Sequence, residues 1–178
     1  MAMQAEVAEL AALIRDVPDF PKKGILFKDI TTLLKDSAAF RRSIDLLAEP
    51  FVDDRIEVVV GMESRGFIFA APLAYKLGAG FVPVRKLGRL PADAVRVEYS
   101  LEYGSNILEM HKDAIRPGQR VLVVDDLLAT GGTVLATIDL IEQLGGTVAG
   151  IGFLVELLAL NGRARLQEHR KVVSIIQY

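Results

Sequence analysis

The first part of the chain carries two stretches whose apolar residues recur at helical spacing. Residues 4–15 form the first stretch, and the second begins at Ser37, which we expect to be the N-cap of its helix. Between them, residues 18–24 are rich in turn-forming residues, and Ile25–Phe27 is too short to be a central strand. This pattern predicts a small N-terminal hood at about residues 15–35.

From residue 56 onward, short apolar runs rich in β-branched residues alternate with helical segments. Strands that are apolar on both faces are typical of parallel sheets covered by helices on both sides. The pattern therefore predicts an α/β fold, a mainly parallel sheet flanked by helices, in a single domain over residues 1–178. The predicted strands are 56–60, 81–84, 121–124, 147–155 and 172–176, with helices near 66–77 and 132–144.

Residues 90–112 do not fit this alternation of strands and helices. They alternate weakly between apolar and polar side chains and are polar and turn-rich in the middle. We predict a flexible antiparallel loop here, long enough to close over a bound substrate.

Composition and charge narrow the classes of function. Lys and Arg total 21 against 23 for Asp and Glu, so the net charge of −2 provides no general attraction for a nucleic-acid backbone. The chain has no cysteine, which excludes disulfides, thiolate zinc sites and a cysteine nucleophile. Its longest apolar run, 151–160, contains Glu156 and is far shorter than a bilayer span, and the amino terminus does not resemble a signal peptide. We expect a cytoplasmic protein that binds neither nucleic acid nor a membrane.

The strongest local motif is Val121–Thr133, in which an apolar run, two acids and Thr-Gly-Gly-Thr precede a predicted helix. Glycines let backbone N–H groups approach a phosphate, and a helix N-terminus supplies positive partial charge. Ionised Asp125 and Asp126 only accept hydrogen bonds, which suits the vicinal hydroxyls of a ribose. A strand end followed by an ordinary glycine turn is the alternative interpretation. No P-loop or dinucleotide-binding motif competes, since the chain lacks Gly-x-x-x-x-Gly-Lys-Ser/Thr and Val155 replaces the third glycine after Gly150 and Gly152.

This strand and loop resemble the phosphoribosyl-diphosphate motif of the type I phosphoribosyltransferases. Five further segments make the chain similar to the adenine phosphoribosyltransferase branch of that family: Pro18–Pro21, Gly24–Asp29, Gly61–Phe67, Tyr99–Gly104 and Leu154–Leu157. The resemblance implies a purine-salvage transferase that joins N9 of adenine to the ribose of phosphoribosyl diphosphate, giving AMP and diphosphate. It also implies Mg²⁺ held mainly through substrate oxygens and water, with no metal ligand from the protein, and a homodimer.

The resemblance also implies which residues contact each part of the substrates. For ribose 5-phosphate these are Asp125, Asp126, Ala129, Thr130, Gly131, Gly132 and Thr133. For diphosphate they are Glu63, Ser64, Arg65, Arg85, Lys86 and Arg89, with a cis peptide before Ser64. For adenine they are the backbone groups of Leu26 and Lys28, the ring of Phe27, and Leu157.

The catalytic residues implied by the resemblance are Glu102, which manages a proton at the purine, and Arg65, while Tyr103 helps to seal the site. The residues alone leave other interpretations open: a surface salt bridge for Arg65, a solvated face for Arg85, Lys86 and Arg89, a core position for Phe27, and an exposed acid for Glu102. Two questions also stay open, namely whether Arg85 acts in a neighbouring subunit and whether the side chain of Lys28, which stands where the family carries arginine, has a role.

Two rival functions follow from the same motif. A phosphoribosyltransferase for a 6-oxopurine or a pyrimidine would share residues 125–133 but not the hood or the 154–157 segment. A non-enzymatic regulator that binds the sugar donor and nucleic acid would carry a basic extension, which a chain of net charge −2 does not supply.

Overall fold

A computed structural model describes residues 2–100, 105–166 and 171–178. The contacts within the chain divide it into two compact units, Met1–Leu46 and Leu47–Tyr178. Within the described residues, no helix is both long enough and apolar enough to cross a lipid bilayer.

The first unit is built from helices and a two-stranded sheet. Its elements are α1 (Ala2–Ala12), β1 (Arg15–Pro18), β2 (Leu26–Asp29), the single turn α2 (Thr31–Leu34) and most of α3 (Ser37–Ala48). Strands β1 and β2 pair antiparallel, with Val17 opposite Phe27. Leu26 and Phe27 therefore belong to a small separate sheet and not to the central one.

The N-cap of α3 differs from the prediction. The backbone N–H groups of Ala38 and Ala39 donate to the carboxylate of Asp36, at 3.0 and 2.9 Å, so Asp36 caps the helix and Ser37 is its first residue. Both side chains are favoured caps, but a carboxylate one residue earlier reaches both amides and adds a favourable interaction with the helix dipole.

The second unit contains a seven-stranded sheet in the order β5-β6-β4-β3-β7-β8-β9. Its strands are β3 (Val58–Met62), β4 (Gly80–Lys86), β5 (Ala94–Ser100), β6 (Ser105–His111), β7 (Arg120–Leu128), β8 (Thr147–Glu156) and β9 (Val172–Gln177). Strands β4, β3, β7, β8 and β9 are parallel, while β5 and β6 form an antiparallel pair beside β4. The predicted mainly parallel sheet is confirmed.

Two helices cover opposite faces of this sheet, as the alternation of side chains along β3 shows. A Cβ on Gly61 would meet Ala70 of α4 (Gly66–Leu77), so this face of β3 lies against α4. Val60 and Met62 belong instead to the buried cluster that contains Val134 and Ile138 of α5 (Gly132–Gln143). The apolar strands are therefore buried on both sides, which explains their nearly continuous hydrophobicity.

Strand β7 extends beyond its predicted end at Val124. Pairing with β8 continues past the two acids, with Asp125 opposite Phe153 and Leu128 opposite Glu156. Hydrogen bonding to a long neighbouring strand therefore outweighs the low strand propensity of two consecutive aspartates. Asp125 and Asp126 are consequently part of the sheet.

Candidate functional site

The sheet topology brings the ends of β3 and β7 together. The chain leaves β3 for β4 on one side of it and later returns as β7 on the other side. Ligands of α/β proteins bind at such points, beyond the carboxyl ends of the strands. Gly61 lies opposite Val124, so the residues after Met62 and those from Asp125 onward face the same edge of the sheet.

Residues 129–133, which we call the phosphate loop, connect β7 to α5. Gly131 has φ of +82°, a left-handed conformation that a glycine adopts without strain. Helix α5 begins at Gly132, so its first N–H groups face outward at a positive helix end. The loop surrounds a cavity of about 60 Å³, whose lining includes six predicted ribose 5-phosphate residues but not Asp126: Asp125, Ala129, Thr130, Gly131, Gly132 and Thr133.

Asp126 lies beside the cavity and forms an ion pair. Its Oδ2 lies 2.9 Å from Arg65 Nε, and its side chain is only 6% exposed. The backbone N–H of Asp126 donates to Asp125 Oδ1 at 2.9 Å. The predicted residues Arg65, Asp125 and Asp126 therefore form one connected group.

Burial raises the pKa of both aspartates. The pKa of Asp125 lies well above its usual value because its carboxylate is desolvated and because it faces the negative charge of Asp126. The pKa of Asp126 is also raised by burial, although the guanidinium of Arg65 opposes the rise. Gly66 contributes to this arrangement, since a Cβ there would lie 2.8 Å from Asp125 Oδ1.

The loop after β3 has the predicted cis peptide between Glu63 and Ser64. The N–H of Glu63 donates to Val84 O at 2.9 Å, and its carboxylate accepts from Arg85 Nε at 3.2 Å and Lys86 N at 3.1 Å. The hydrogen bond from Arg85 lowers the pKa of Glu63. These hydrogen bonds connect the loop after β3 to the end of β4. The carboxylate of Glu63 is thereby paired with Arg85 of the protein itself.

Arg85–Arg89, which we call the basic turn, holds the remaining predicted diphosphate residues. Arg85 Nη1 donates to Arg89 O at 2.9 Å, and Lys86 and Arg89 are exposed. Beneath the turn, Glu109 is 2% exposed and accepts from Gly88 N and Arg96 Nε, both at 2.7 Å. The sequence did not reveal Glu109, because one acid in an alternating strand is a common pattern.

The hood places the predicted adenine residues on β2. The ring of Phe27 packs edge-on against Phe20, with centroids 5.1 Å apart. The ammonium of Lys28 forms an ion pair with Asp16 at 2.6 Å, and the Lys28 side chain is only 9% exposed. The side chain of Lys28 is therefore held by Asp16 within the hood.

Three further predicted residues lie at the end of β8 or in the 101–104 segment. Leu157 follows β8, and its N–H donates to Leu128 O at 3.0 Å. Glu102 and Tyr103 lie outside the described residues, so their predicted roles stay predictions. Just before them, the Tyr99 hydroxyl lies 3.5 Å from Thr133 Oγ1, so the end of β5 reaches the phosphate loop.

A further ion pair lies next to the phosphate loop, and its residues were not among the predicted site residues. Glu156, at the end of β8, is 3% exposed and pairs with Arg163 at 2.6 Å. The one clue in the sequence was an acid inside the apolar run 151–160. A larger cleft of about 340 Å³ between α1 and α3 contains none of the predicted site residues.

Comparison with known proteins places this arrangement in a family. A sequence model for the phosphoribosyl transferase domain matches residues 29–177. The adenine phosphoribosyltransferase of Chloroflexus aurantiacus is 60% identical over 170 residues, which cover 96% of this chain and 98% of that protein. That of Carboxydothermus hydrogenoformans is 57% identical over 170 residues, covering 96% and 99%.

Solved structures agree with these relatives. The adenine phosphoribosyltransferase of Thermoanaerobacter pseudethanolicus superposes with a TM-score of 0.93 at 53% identity, covering 97% of this chain and 99% of that chain. The Saccharomyces cerevisiae enzyme, complexed with adenine and an imino-altritol bisphosphate, has a TM-score of 0.90 at 40% identity, covering 97% and 99%. The chain therefore belongs to the adenine phosphoribosyltransferase family of phosphoribosyltransferases.

Proposed function

We infer that the chain transfers the 5-phosphoribosyl group from phosphoribosyl diphosphate to N9 of adenine, giving AMP and diphosphate. The observation that carries this inference is the phosphate loop after β7 together with the buried acids Asp125 and Asp126, of which Asp126 is paired with Arg65 from the loop after β3. It combines a phosphate site with acceptors for ribose hydroxyls at one edge of the sheet.

We propose that the 5-phosphate binds the N–H groups at the start of α5 together with the hydroxyls of Thr130 and Thr133. The ribose hydroxyls donate to Asp125 and Asp126, whose position in β7 fixes the sugar relative to the phosphate. Because both acceptors belong to the sheet, the sugar is oriented before the reaction begins, and such orientation is a main source of rate enhancement.

The proposed diphosphate site consists of the Glu63–Arg65 loop and the basic turn. Arg65 is partly exposed and its charge faces the same edge as the phosphate loop. Arg85, Lys86 and Arg89 add positive charge at the neighbouring end of β4. Cations at this position stabilise the negative charge that builds on the departing diphosphate.

The hood is proposed to recognise adenine through the ring of Phe27 and the backbone groups of Leu26 and Lys28. Leu157 is proposed as a further apolar contact of the base. Backbone groups that pair the 6-amino group of adenine would lose their partners with a 6-oxopurine, which is the basis of the expected selectivity.

In the proposed reaction, adenine N9 attacks the anomeric carbon while the bond to diphosphate breaks. The chain holds both reactants in line and needs no nucleophile of its own. Glu102 takes the proton that N9 gives up, and the segment around Tyr103 excludes water that would otherwise hydrolyse the donor.

Magnesium fits this site as a partner of the substrate. Among the described residues, no group of three His, Cys, Asp or Glu side chains is placed to hold a metal ion. The carboxylates of Asp125 and Asp126 nevertheless supply the hard oxygen atoms that Mg²⁺ prefers next to a phosphate. When bound, Mg²⁺ neutralises charge on the diphosphate, and we propose that substrate oxygens and water provide most of its ligands.

A substrate panel tests the function. The protein is incubated with phosphoribosyl diphosphate, Mg²⁺ and either adenine, hypoxanthine or a pyrimidine base, and nucleotide and diphosphate are measured. We expect kcat/KM for adenine to exceed the other values by about 10⁴-fold. EDTA should stop the reaction and added Mg²⁺ should restore it. No AMP above the enzyme-free control, or equal use of hypoxanthine, would refute the proposal.

We also propose a homodimer, on the basis of exposed apolar side chains in the second unit. Phe81, Leu87 and Tyr75 are 38%, 49% and 90% exposed. Apolar surface of this kind is often covered by a second copy of the chain. Light scattering after size-exclusion chromatography measures the mass directly, and a monomer at micromolar concentration would contradict the proposal. The cytoplasmic location stays a prediction.

A further inference from the structure

Glu156 is a buried carboxylate that the proposed mechanism does not use. It is the last residue of β8 and is 3% exposed. Burying a carboxylate without partners carries a large free-energy cost, so its retention in an apolar strand calls for a partner of opposite charge.

Arg163 supplies that partner and uses all three of its guanidinium nitrogens. Nε lies 2.9 and 3.1 Å from the two oxygens of Glu156, and Nη2 lies 2.6 Å from Oε2. Nη2 also donates to Ser174 Oγ at 2.9 Å, and Nη1 donates to Val172 O at 2.8 Å. The pairing lowers the pKa of Glu156 and raises that of Arg163, so both groups are charged at neutral pH.

This geometry determines what Arg163 can do. A two-pronged bond between guanidinium and carboxylate fixes both the position and the plane of the arginine. Its charge is balanced by Glu156 and its nitrogens are directed into β8 and β9. Arg163 is therefore a structural anchor for its own segment, the 3₁₀ turn Gly162–Leu166.

The anchored segment lies directly against the phosphate loop. A Cβ on Gly162 would come within 2.1 Å of Ala129 O, and a Cβ on Gly131 would lie 3.1 Å from Gly162 O. Arg165 Nη1 donates to Thr130 O at 3.2 Å. The segment thus contacts residues 129, 130 and 131 in succession.

These contacts orient the peptide planes of the loop. The carbonyl oxygens of Ala129 and Thr130 are directed to the 3₁₀ segment. In a trans peptide the following N–H points in the opposite direction, so the amides of Thr130 and Gly131 point away from the segment. Amides held in this orientation bind an anion without a further ordering cost.

We propose that Arg163 is a positioning residue for ribose 5-phosphate: paired with Glu156, it holds Gly162 and Arg165 against residues 129–131 and so keeps the phosphate loop in its binding conformation. This inference rests on the proposed function, because it takes ribose 5-phosphate as the ligand of the loop.

Titration calorimetry with two ligands tests the role of Arg163. In Arg163→Lys and Arg163→Ala, we expect the Kd for ribose 5-phosphate to rise by about 10- to 100-fold, since small displacements of binding groups have effects of this size. The Kd for magnesium diphosphate, which binds elsewhere, should change by less than about two-fold. Millimolar guanidinium should restore part of the ribose 5-phosphate affinity of Arg163→Ala. Equal weakening of both ligands, or wild-type affinity in a folded Arg163→Lys protein, would overturn the proposal.

A second pair of variants tests the contact itself and leaves the ion pair intact. Gly162→Ala places a methyl group against Ala129 O, whereas in Gly80→Ala the nearest atom is Glu57 O at an ordinary 3.7 Å. We expect Gly162→Ala to weaken ribose 5-phosphate binding by about 10-fold or more and Gly80→Ala to leave it unchanged. Equal affinities in these two variants would also overturn the proposal. If wild-type protein itself neither binds ribose 5-phosphate nor forms AMP, the proposed function fails instead.

Discussion

At the scale of single residues, Asp125 and Asp126 show a conflict between stability and function. Two adjacent carboxylates are buried near the end of β7, and Arg65 forms an ion pair with one of them, Asp126. Burial raises the pKa of both groups, so their charged forms destabilise the folded state at neutral pH. Retaining such a pair is expected where a ligand supplies the missing hydrogen bonds.

Asparagine substitutions separate these two effects. We expect Asp125→Asn to raise Tm at neutral pH, because it removes a desolvated charge while its oxygen still accepts the Asp126 N–H. The same change should lower kcat/KM for AMP formation by about 10²- to 10³-fold, since a charged acceptor for the ribose is lost.

Asp126→Asn provides the matched comparison. The loss of activity should be similar, but Tm should rise less, because this change also removes the attraction to Arg65. Differential scanning calorimetry and steady-state assays measure both quantities. A lower Tm for Asp125→Asn, or near-normal turnover of either variant, contradicts the role assigned to the pair.

At the scale of elements, the sequence predicted the helices and parallel strands well but located some ends wrongly. Helix α4 has the bounds that its spacing predicts, because an apolar helix between two strands leaves few alternatives. The end of β7 was misplaced because pairing with β8 overrides local propensity, which a single-sequence pattern does not contain.

The same distinction applies to the site. The acids at 125 and 126 and the glycines and threonines of the phosphate loop are close together in the sequence, so their chemistry could be predicted from it. The supports of the site come from distant segments: Glu109 beneath the basic turn and Arg163 beside the phosphate loop. Their partners are set by tertiary contacts, which no local spacing encodes.

The capping of α3 gives a prediction at this scale. Asp36→Ala removes two hydrogen bonds to the first turn and should destabilise the protein by about 1 kcal/mol, or about 2–4 °C in Tm. Ser37→Ala is the control and should change Tm by less, because Ser37 is already inside the helix. Thermal unfolding of both variants tests the assignment. A larger decrease in Tm for Ser37→Ala than for Asp36→Ala would show that Ser37 is the N-cap.

At the scale of the whole molecule, the shifted carboxylates determine how stability depends on pH. Arg15 and Thr31 lower the pKa of Asp29 to about 2, and arginines lower those of Glu63 and Glu156. These three groups contribute stability above their unfolded pKa values, 3.8 for Asp and 4.5 for Glu, and lose it as pH falls toward their folded values. Asp125 and Asp126 have the opposite sign, since the folded chain binds their protons at higher pH than the unfolded chain does.

The two sets together predict that stability without ligand is greatest in weak acid. As pH falls from neutral, protonation of Asp125 and Asp126 in the folded state should first raise Tm. Below about 4.5, the loss of the pairs made by Glu63 and Glu156, and then by Asp29, should lower it steeply. Calorimetry from neutral pH to about 3 measures Tm as a function of pH. Asp125→Asn should reduce the rise of Tm in weak acid and leave the fall of Tm below about 4.5 unchanged. A wild-type Tm that falls continuously from neutral pH would show that the charged forms of Asp125 and Asp126 do not destabilise the folded protein. A curve that Asp125→Asn leaves unchanged would assign the rise to other groups.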